Sequence, residues 1–271
     1  MSFSSGTTSV ESSPSSECSV APAEAQLGGN SRLRQLLILI GQFFFKHRNY
    51  VSPLVVLALV LAAPPRLGFG TRRGDLALVL SGVALTLVGQ VLRVAVIGYA
   101  YIKRGGKDKQ VYAQSLVQEG FFAHCRNPLY VGNLLVMFGV FVVYNSPWVY
   151  AVGIPFFLFL YITIVMAEED YLVRRFGGEY QSYCRRVNRF IPGLRGLGKS
   201  LEGMSFDWQR VIRKEYGTIF ANVATLIIVL AWKQHRLTGK ASIPLMLSII
   251  PAILAYAAAR YAKKTDRLGT D

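Results

Sequence analysis

The chain has 271 residues, of which 52% are hydrophobic and only 17% charged, yet its formal net charge is +15 at neutral pH. The apolar content excludes an intrinsically disordered chain, and a nucleic-acid-binding domain would explain the charge but not the hydrophobicity. Three cysteines without a Cys-x-x-Cys pair exclude a disulfide scaffold and a cysteine-based zinc site. We therefore expect an all-α, polytopic membrane protein with basic flanks and neither a metal nor nucleic acid as a ligand.

The chain begins with a segment that differs from the rest. Residues 1–31 contain no Lys or Arg and are rich in Ser, Thr and Pro, which predicts a disordered tail. The next apolar run, 36–45, is too short to cross a bilayer and predicts an interfacial helix or a helix packed beneath the bundle. Longer runs then predict about six spans, at 51–69, 76–102, 129–144, 148–167, 217–232 and 243–259.

These runs divide the chain into three parts. We expect the tail at 1–31, a membrane core at 32–204 and a C-terminal extension with two spans at 205–271. Within the core, residues 168–204 are polar and rich in Arg and Tyr, which predicts a cap that follows the fourth span.

Cationic residues predict the orientation of the bundle. Of the 30 Lys and Arg residues, 23 lie on the side of the termini and the polar cap, whereas 6 lie on the other side and Arg93 lies within a span. Because cytoplasmic loops are enriched in Lys and Arg, both termini and the cap are predicted to be cytoplasmic. A charge within the membrane is a functional hypothesis by default, so Arg93 is expected to line a pocket or to pair with a glutamate.

A short connection at 145–147 predicts that the third and fourth spans form a tight antiparallel hairpin. The hairpin returns the chain to the level of Asn127-Pro128, so Glu168 and Glu169 are expected near that corner. Asn127 is expected to cap the third helix with its side chain, with Pro128 at the first helical position. A helix start of this kind suits a carboxylate or phosphate, although polar residues that merely end helices would give the same pattern.

Two sequence blocks lie on the two arms of this hairpin. The first, from residue 117 to 132, reads VxxGxFxxxRNPxYxG, and the second, from 168 to 192, reads EExxLxxxFGxEYxxYxxxVxRxIP. Together they resemble the signatures of the isoprenylcysteine carboxyl methyltransferase family and its phospholipid N-methyltransferase relatives, and the likeness covers roughly residues 90–192. The prenylcysteine enzymes have an arginine at the position of Ile164, so the resemblance does not name the acceptor.

The resemblance implies an S-adenosylmethionine-dependent methyltransferase that acts at the cytoplasmic membrane face. It implies S-adenosyl-L-methionine as the cofactor and a membrane lipid or a small amphipathic molecule as the acceptor. Arg126 and Glu169 are the candidate catalytic residues. Transferred by position, the cofactor contacts fall on ten residues: Gln114, Ser115, Leu116, Val117, Phe122, Asn127, Pro128, Leu129, Tyr130 and Glu168.

Other interpretations compete with this one. Residues 193–200 fit the phosphate-loop pattern GxxxxGKS, but the mechanism of such a loop needs a buried strand before the glycines, and Pro192 stands there instead. A sterol-reductase-like NADPH enzyme of related membrane fold is a second alternative. A degenerate, non-enzymatic relative that serves as a membrane partner is the third. His124 is expected to be a surface residue, and Cys125 and Cys184 are expected to be packing residues.

Overall fold

The computed structural model describes residues 28–99 and 115–265, and all regular elements within them are helical. The prediction of an all-α protein is confirmed. The helices are α1 (Gly28–Ala62), α2 (Arg72–Tyr99), α3 (Pro128–Tyr144), α4 (Ile154–Phe176), α5 (Gly178–Arg186), α6 (Leu197–Leu201), α7 (Trp208–Thr238), α8 (Ile243–Leu247) and α9 (Ile249–Lys264). A π-helical segment, Val149–Gly153, leads directly into α4.

Within the described residues, four helical stretches are long and apolar enough to cross a membrane: Arg72–Tyr99, Val149–Phe176, Trp208–Thr238 and Ile243–Lys264. They correspond to the second, fourth, fifth and sixth predicted spans, although residues 100–102 lie outside the described ranges. Helix α3 corresponds to the third and has 17 residues, which gives a length of about 25 Å. The protein is therefore an integral membrane protein built as a helical bundle.

The first predicted span was wrong in its bounds. Residues 36–45 and 51–62 belong to one helix, α1, which continues through Pro53 and ends at Ala62, before Pro64. The polar residues between the two runs do not break the helix, because Lys and Arg are good helix formers, and Arg48 donates a hydrogen bond to Tyr130 of α3. Two other predicted bounds also differ from the structure. Helix α4 continues to Phe176, and α7 begins at Trp208 rather than near residue 217.

Helices α2 and α3 are antiparallel and touch along a stripe of small residues. A Cβ atom added at Gly82 would lie 2.6 Å from the Gly139 carbonyl oxygen, and one at Gly89 would lie 2.6 Å from that of Gly132. Between these contacts, the Thr86 hydroxyl donates to the Gly82 carbonyl at 2.9 Å. Small residues allow this close approach, which maximises dispersion contacts where lipid offers no hydrophobic driving force.

A second antiparallel pair is formed by α1 and α4. Gly41 of α1 lies directly against the backbone of Thr163 in α4. The main core lies where this pair meets α3, and its fully buried members include Phe157, Leu160 and Tyr144. This packing holds the two arms of the α3–α4 hairpin at a fixed height relative to each other.

Helix α7 packs against α2 and α3, and α9 packs against α7. Arg93 of α2 and Glu215 of α7 form a buried ion pair at 2.6 Å, so the expected pairing of Arg93 with a glutamate is confirmed. Glu215 lies in the predicted C-terminal extension just before its first expected span, but the early start of α7 places it inside the bundle. A second ion pair, Asp75–Lys233 at 2.8 Å, joins the same two helices further along.

Candidate active site

The hairpin brings the two sequence blocks into direct contact. The Tyr130 hydroxyl, from the first block, donates a 2.7 Å hydrogen bond to Oε1 of Glu168, from the second block. Arg48 of α1 donates to the same hydroxyl at 3.0 Å and lies over the ring of Phe45. The expectation that the acidic pair returns to the level of the α3 start is confirmed.

Glu169 points away from Glu168 and toward the segment after α5. Its carboxylate accepts two hydrogen bonds from Arg189, at 3.2 and 2.6 Å, and lies 3.3 Å from Nη1 of Arg126. Arg126 is buried, and the same Nη1 donates to Sγ of Cys184 at 2.8 Å. Bidentate geometry and several partners are what a buried carboxylate needs to offset its desolvation.

The backbone at the start of α3 follows the predicted pattern, but the Asn127 side chain does not. The amides of Tyr130 and Val131 donate to the Asn127 carbonyl at 3.1 and 3.2 Å, and Pro128 occupies the first helical position. The predicted side-chain cap was wrong, because Nδ2 of Asn127 donates to the Arg189 carbonyl at 3.2 Å instead. Asn127 therefore ties the segment after α5 to the corner.

The loop before α3 is covered by α5. Phe122 is buried against Val96, and its carbonyl accepts a 2.7 Å hydrogen bond from the Tyr183 hydroxyl. Val117 and Leu129 pack on this cluster, and Leu116 packs on the cluster that contains Tyr183. Among the remaining predicted contacts, Ser115 is exposed and Gln114 lies outside the described residues. The predicted cofactor residues thus form two groups, the polar Tyr130–Glu168 pair and an apolar set beneath α5.

His124 was predicted to be a surface residue, but both of its ring nitrogens have hydrogen-bond partners. Its Nε2 lies 2.8 Å from Oγ of Ser200, and its Nδ1 is hydrogen-bonded to the Gly193 carbonyl. The Gly193 amide in turn donates to the His124 carbonyl at 3.0 Å. The described residues before Gly193 form no strand, and only the five-residue α6 follows, so 193–200 lacks the geometry of a phosphate loop.

A small apolar cavity of about 50 Å³ lies between α2 and the start of α3. Its walls come from α2, α3, the loop before α3 and the segment that leads to α6: Leu92, Phe121, His124, Cys125, Pro128, Val131, Pro192, Leu194 and Leu197. Burial raises the pKa of the Cys125 thiol to about 11, so this thiol is neutral at physiological pH. Both Cys125 and Cys184 are buried packing residues, as predicted.

Three polar residues near the site escaped the sequence reasoning. Arg48 and Glu215 lie outside the two sequence blocks, and Asn133 belongs to neither of their patterns. One signal could have found Glu215, because an arginine within the membrane needs a counter-charge on a neighbouring helix. Arg48 could not have been paired without the tertiary packing of α1 on α4.

Comparison with known proteins identifies one matching family and two relatives. The phospholipid methyltransferase family matches residues 77–179, which run from α2 to the start of α5. The cobalt-zinc-cadmium resistance protein CzcN of Cupriavidus metallidurans is 32% identical over 163 residues, which cover 57% of this chain and 68% of the relative. The nickel-cobalt-cadmium resistance protein NccN of Alcaligenes xylosoxydans xylosoxydans is 33% identical over 79 residues, 29% of this chain and 37% of the relative. No solved structure matches significantly. The chain belongs to the phospholipid methyltransferase family of integral membrane proteins.

Proposed function

We propose that the protein is an S-adenosylmethionine-dependent methyltransferase that acts on a lipidic or small amphipathic acceptor at the cytoplasmic membrane face. The observation that carries the proposal is the hydrogen bond between Tyr130 and Glu168, because it joins the two sequence blocks at the start of α3. Membership of the phospholipid methyltransferase family supports the class of reaction. The prediction that 23 of the 30 Lys and Arg residues lie on one side supports a cytoplasmic orientation of this corner and of both termini.

The residues at the corner fit the proposed cofactor. One oxygen of Glu168 accepts from Tyr130, and a carboxylate has about four acceptor sites, so Glu168 retains capacity for a ribose hydroxyl or a cationic group. The start of α3 contributes the positive end of a helix dipole, which suits the carboxylate of a methionine moiety. We assign the cofactor contacts to Gln114, Ser115, Leu116, Val117, Phe122, Asn127, Pro128, Leu129, Tyr130 and Glu168.

The protein's own contribution to the reaction is positioning and the exclusion of water. When bound, the cofactor supplies a methyl group on a sulfonium. Arg48 and Tyr130 hold the Glu168 carboxylate in one place, and the buried Phe122 keeps water from the apolar side. An in-line displacement that neutralises the sulfonium depends mainly on orientation and desolvation, so these contributions suffice.

Arg126 and Glu169 remain the candidate catalytic residues, and their contacts support a role in holding the cap. The Glu169 carboxylate joins Arg126, beside the α3 start, to Arg189, on the segment after α5. With the Asn127–Arg189 hydrogen bond, this cluster keeps residues 187–193 against the corner. A cap fixed in this way would close the cofactor site from the cytoplasm.

Calorimetry tests the proposal on the purified full-length protein in detergent. We expect S-adenosylhomocysteine to bind the wild type, and Glu168→Ala to weaken binding at least tenfold, since it removes the acceptor at the corner. Glu202→Ala is the matched control, because Glu202 is an exposed carboxylate on the cap and away from Tyr130. A wild type that does not bind the ligand, or equal binding by both variants, would contradict the proposal.

A second assay addresses the acceptor. Membranes supplied with methyl-labelled cofactor should yield a labelled lipid or amphipathic product only with the wild type. Mass spectrometry of the extract would identify the methylated molecule, and a label confined to water-soluble protein would argue against the proposed acceptor class.

The names of the two relatives favour one further candidate, a role in tolerance of cobalt, zinc, nickel or cadmium ions. Cells that lack the protein should then grow poorly in these metals, and the wild-type gene should restore growth. Complementation by Glu168→Ala distinguishes the two ideas, because a tolerance that needs methyl transfer should fail with this variant.

A further inference from the structure

A line of polar side chains runs through the bundle and ends on α7. Glu215, which is 2% exposed, accepts hydrogen bonds from Arg93 at 3.0 Å from Nε and 2.6 Å from Nη2. Gln90 of α2 donates to the same carboxylate at 3.3 Å. A charged pair this well enclosed holds α2 and α7 in one geometry, because separation would leave either charge unpaired in a membrane-embedded core.

The line continues from Arg93 to the candidate active site. The remaining terminal nitrogen of Arg93 donates to the side chain of Asn133 on α3. Because Asn133 follows Tyr130 by three residues, the two side chains share one face of α3. The ring of Tyr161 on α4 packs against Tyr130, with 5.6 Å between the ring centroids. The polar line therefore runs from Glu215 to Asn133, which lies one helical turn from the residue that holds Glu168.

The same two helices carry a second ion pair that does not reach the site. Lys233 and Asp75 pair at 2.8 Å, and Lys233 is 3% exposed. Asp75 and Arg93 are 18 residues apart on α2, as are Glu215 and Lys233 on α7, a helical distance of about 27 Å. Equal spacing on two antiparallel helices lets both pairs form in one register. One interface thus has one ion pair beside the site and one far from it.

We propose that Glu215 is a positioning residue of the active site, which acts through Arg93 and Asn133 on the turn of α3 that carries Tyr130. This inference rests on the function proposed above. Helix α7 then contributes a residue to the site, although α7 lies outside the region that matches the family. The extension at 205–271, predicted as a separate part, then contributes to cofactor binding from the opposite side of α2 and α3.

The experiment compares two isosteric variants, Glu215→Gln and Asp75→Asn, in the full-length protein. Each removes one carboxylate charge and leaves one buried cation on the same interface, so both should lower the melting temperature. Only Glu215→Gln should weaken S-adenosylhomocysteine binding, by about tenfold, whereas Asp75→Asn should change the Kd less than about twofold. Equal changes in Kd would show that the pair merely stabilises the helix contact, and no change in either would also overturn the inference.

Glu215→Asp supplies a second measurement in case the amide variant does not fold. The shorter side chain keeps the charge but shifts the carboxylate, so we expect binding intermediate between the wild type and the variant Arg93→Lys, which loses the bidentate contact. Wild-type affinity in both variants would contradict the positioning role. Absence of binding by the wild type would instead refute the proposed function, so the two failures are distinguishable.

Discussion

The two ends of the α3–α4 hairpin use their polar side chains differently. At the turn, the Tyr144 hydroxyl donates to the carbonyls of Val60 and Ala63 at 2.7 and 2.6 Å, and the Trp232 indole donates to Val60 at 3.0 Å. At the opposite end, the two arms are joined by a contact between side chains, the hydrogen bond from Tyr130 to Glu168. We call these the turn end and the corner end.

The two kinds of hydrogen bond indicate which end of the hairpin can bind a ligand. A backbone carbonyl at the end of a helix needs a donor in every state of the protein, so the contacts at the turn end serve the fold. A half-buried carboxylate such as Glu168 can exchange or add partners without unfolding its helix. The corner end therefore has polar groups that can respond to a ligand, and substitutions at the two ends should separate stability from binding.

The largest effect is expected from Glu169→Ala at the corner end. The substitution leaves Arg126 and Arg189 without their shared carboxylate, and removal of one partner from a buried ion pair typically costs about 3–5 kcal/mol. Thermal unfolding in detergent should show a markedly lower melting temperature, or the protein should fail to accumulate. Asp170→Ala, at the adjacent and more exposed position, is the control, and an unchanged melting temperature for Glu169→Ala would contradict the prediction.

Lys233→Met, towards the turn end, should destabilise less and should spare the site. The substitution removes the partner of Asp75 and the donor to the Val143 carbonyl, but Asp75 is partly accessible to solvent. We expect a loss of about 1–3 kcal/mol in the free energy of unfolding. Binding of S-adenosylhomocysteine should match the wild type, and a large change in Kd would undermine the contrast between the two ends.

The same substitution of tyrosine by phenylalanine can be made at the turn end and at the corner end. Tyr144→Phe removes the donor of the Ala63 carbonyl and one of the two donors of the Val60 carbonyl, and should cost about 1–2 kcal/mol in stability with unchanged ligand affinity. Tyr130→Phe removes the link between Arg48 and Glu168 and should raise the Kd for S-adenosylhomocysteine. The same ring-for-ring change at each end thus gives opposite readouts, and identical readouts would count against the assignment of the corner end.

The smallest effect at neutral pH is expected at Cys125. In a Cys18→Ser, Cys184→Ser background, the native thiol should react with a maleimide far more slowly than after denaturation, because it is buried and its pKa is about 11. The ordinary thiol pKa is 9.0, so the unfolded chain ionises first. Stability from this group is therefore present below pH 9 and declines as the pH rises from 9 through 11. Rapid labelling of the native protein at pH 7.5 would contradict this.

Local sequence patterns predicted most of the helices, and two of these patterns, the apolar runs and the short connection between α3 and α4, predicted the location of the site. The apolar runs predicted α2, α3, α4 and α7 because a membrane span must satisfy its backbone internally over a defined length. The short connection at 145–147 predicted the hairpin, and the hairpin predicted that Glu168 and Glu169 would lie near the Asn127-Pro128 corner. The sequence patterns did not predict the directions of the side chains, because Glu168 and Glu169 are neighbours in sequence that bind different partners.

The remaining features depend on contacts between distant segments. Hydropathy divided α1 at Lys46 and Arg48, but the helix continues through both, because Lys and Arg are good helix formers. The Asn127 side chain was expected to cap α3, but it donates to the Arg189 carbonyl instead. Arg48 and Asn127 each bind a partner more than 60 residues away, and local sequence carries no record of such a partner.

The stripe of small residues between α2 and α3 has a consequence for motion. Because the two backbones touch at Gly82, Gly89, Gly132 and Gly139, neither helix can rotate or slide without a collision of main-chain atoms. The two helices therefore behave as one rigid strut. By contrast, α6 meets the corner through side chains, with Ser200 bonded to His124 and Leu201 close to Gly120. Any opening over a ligand would thus involve α6 rather than α2 and α3, and the strut would keep the geometry of the corner constant.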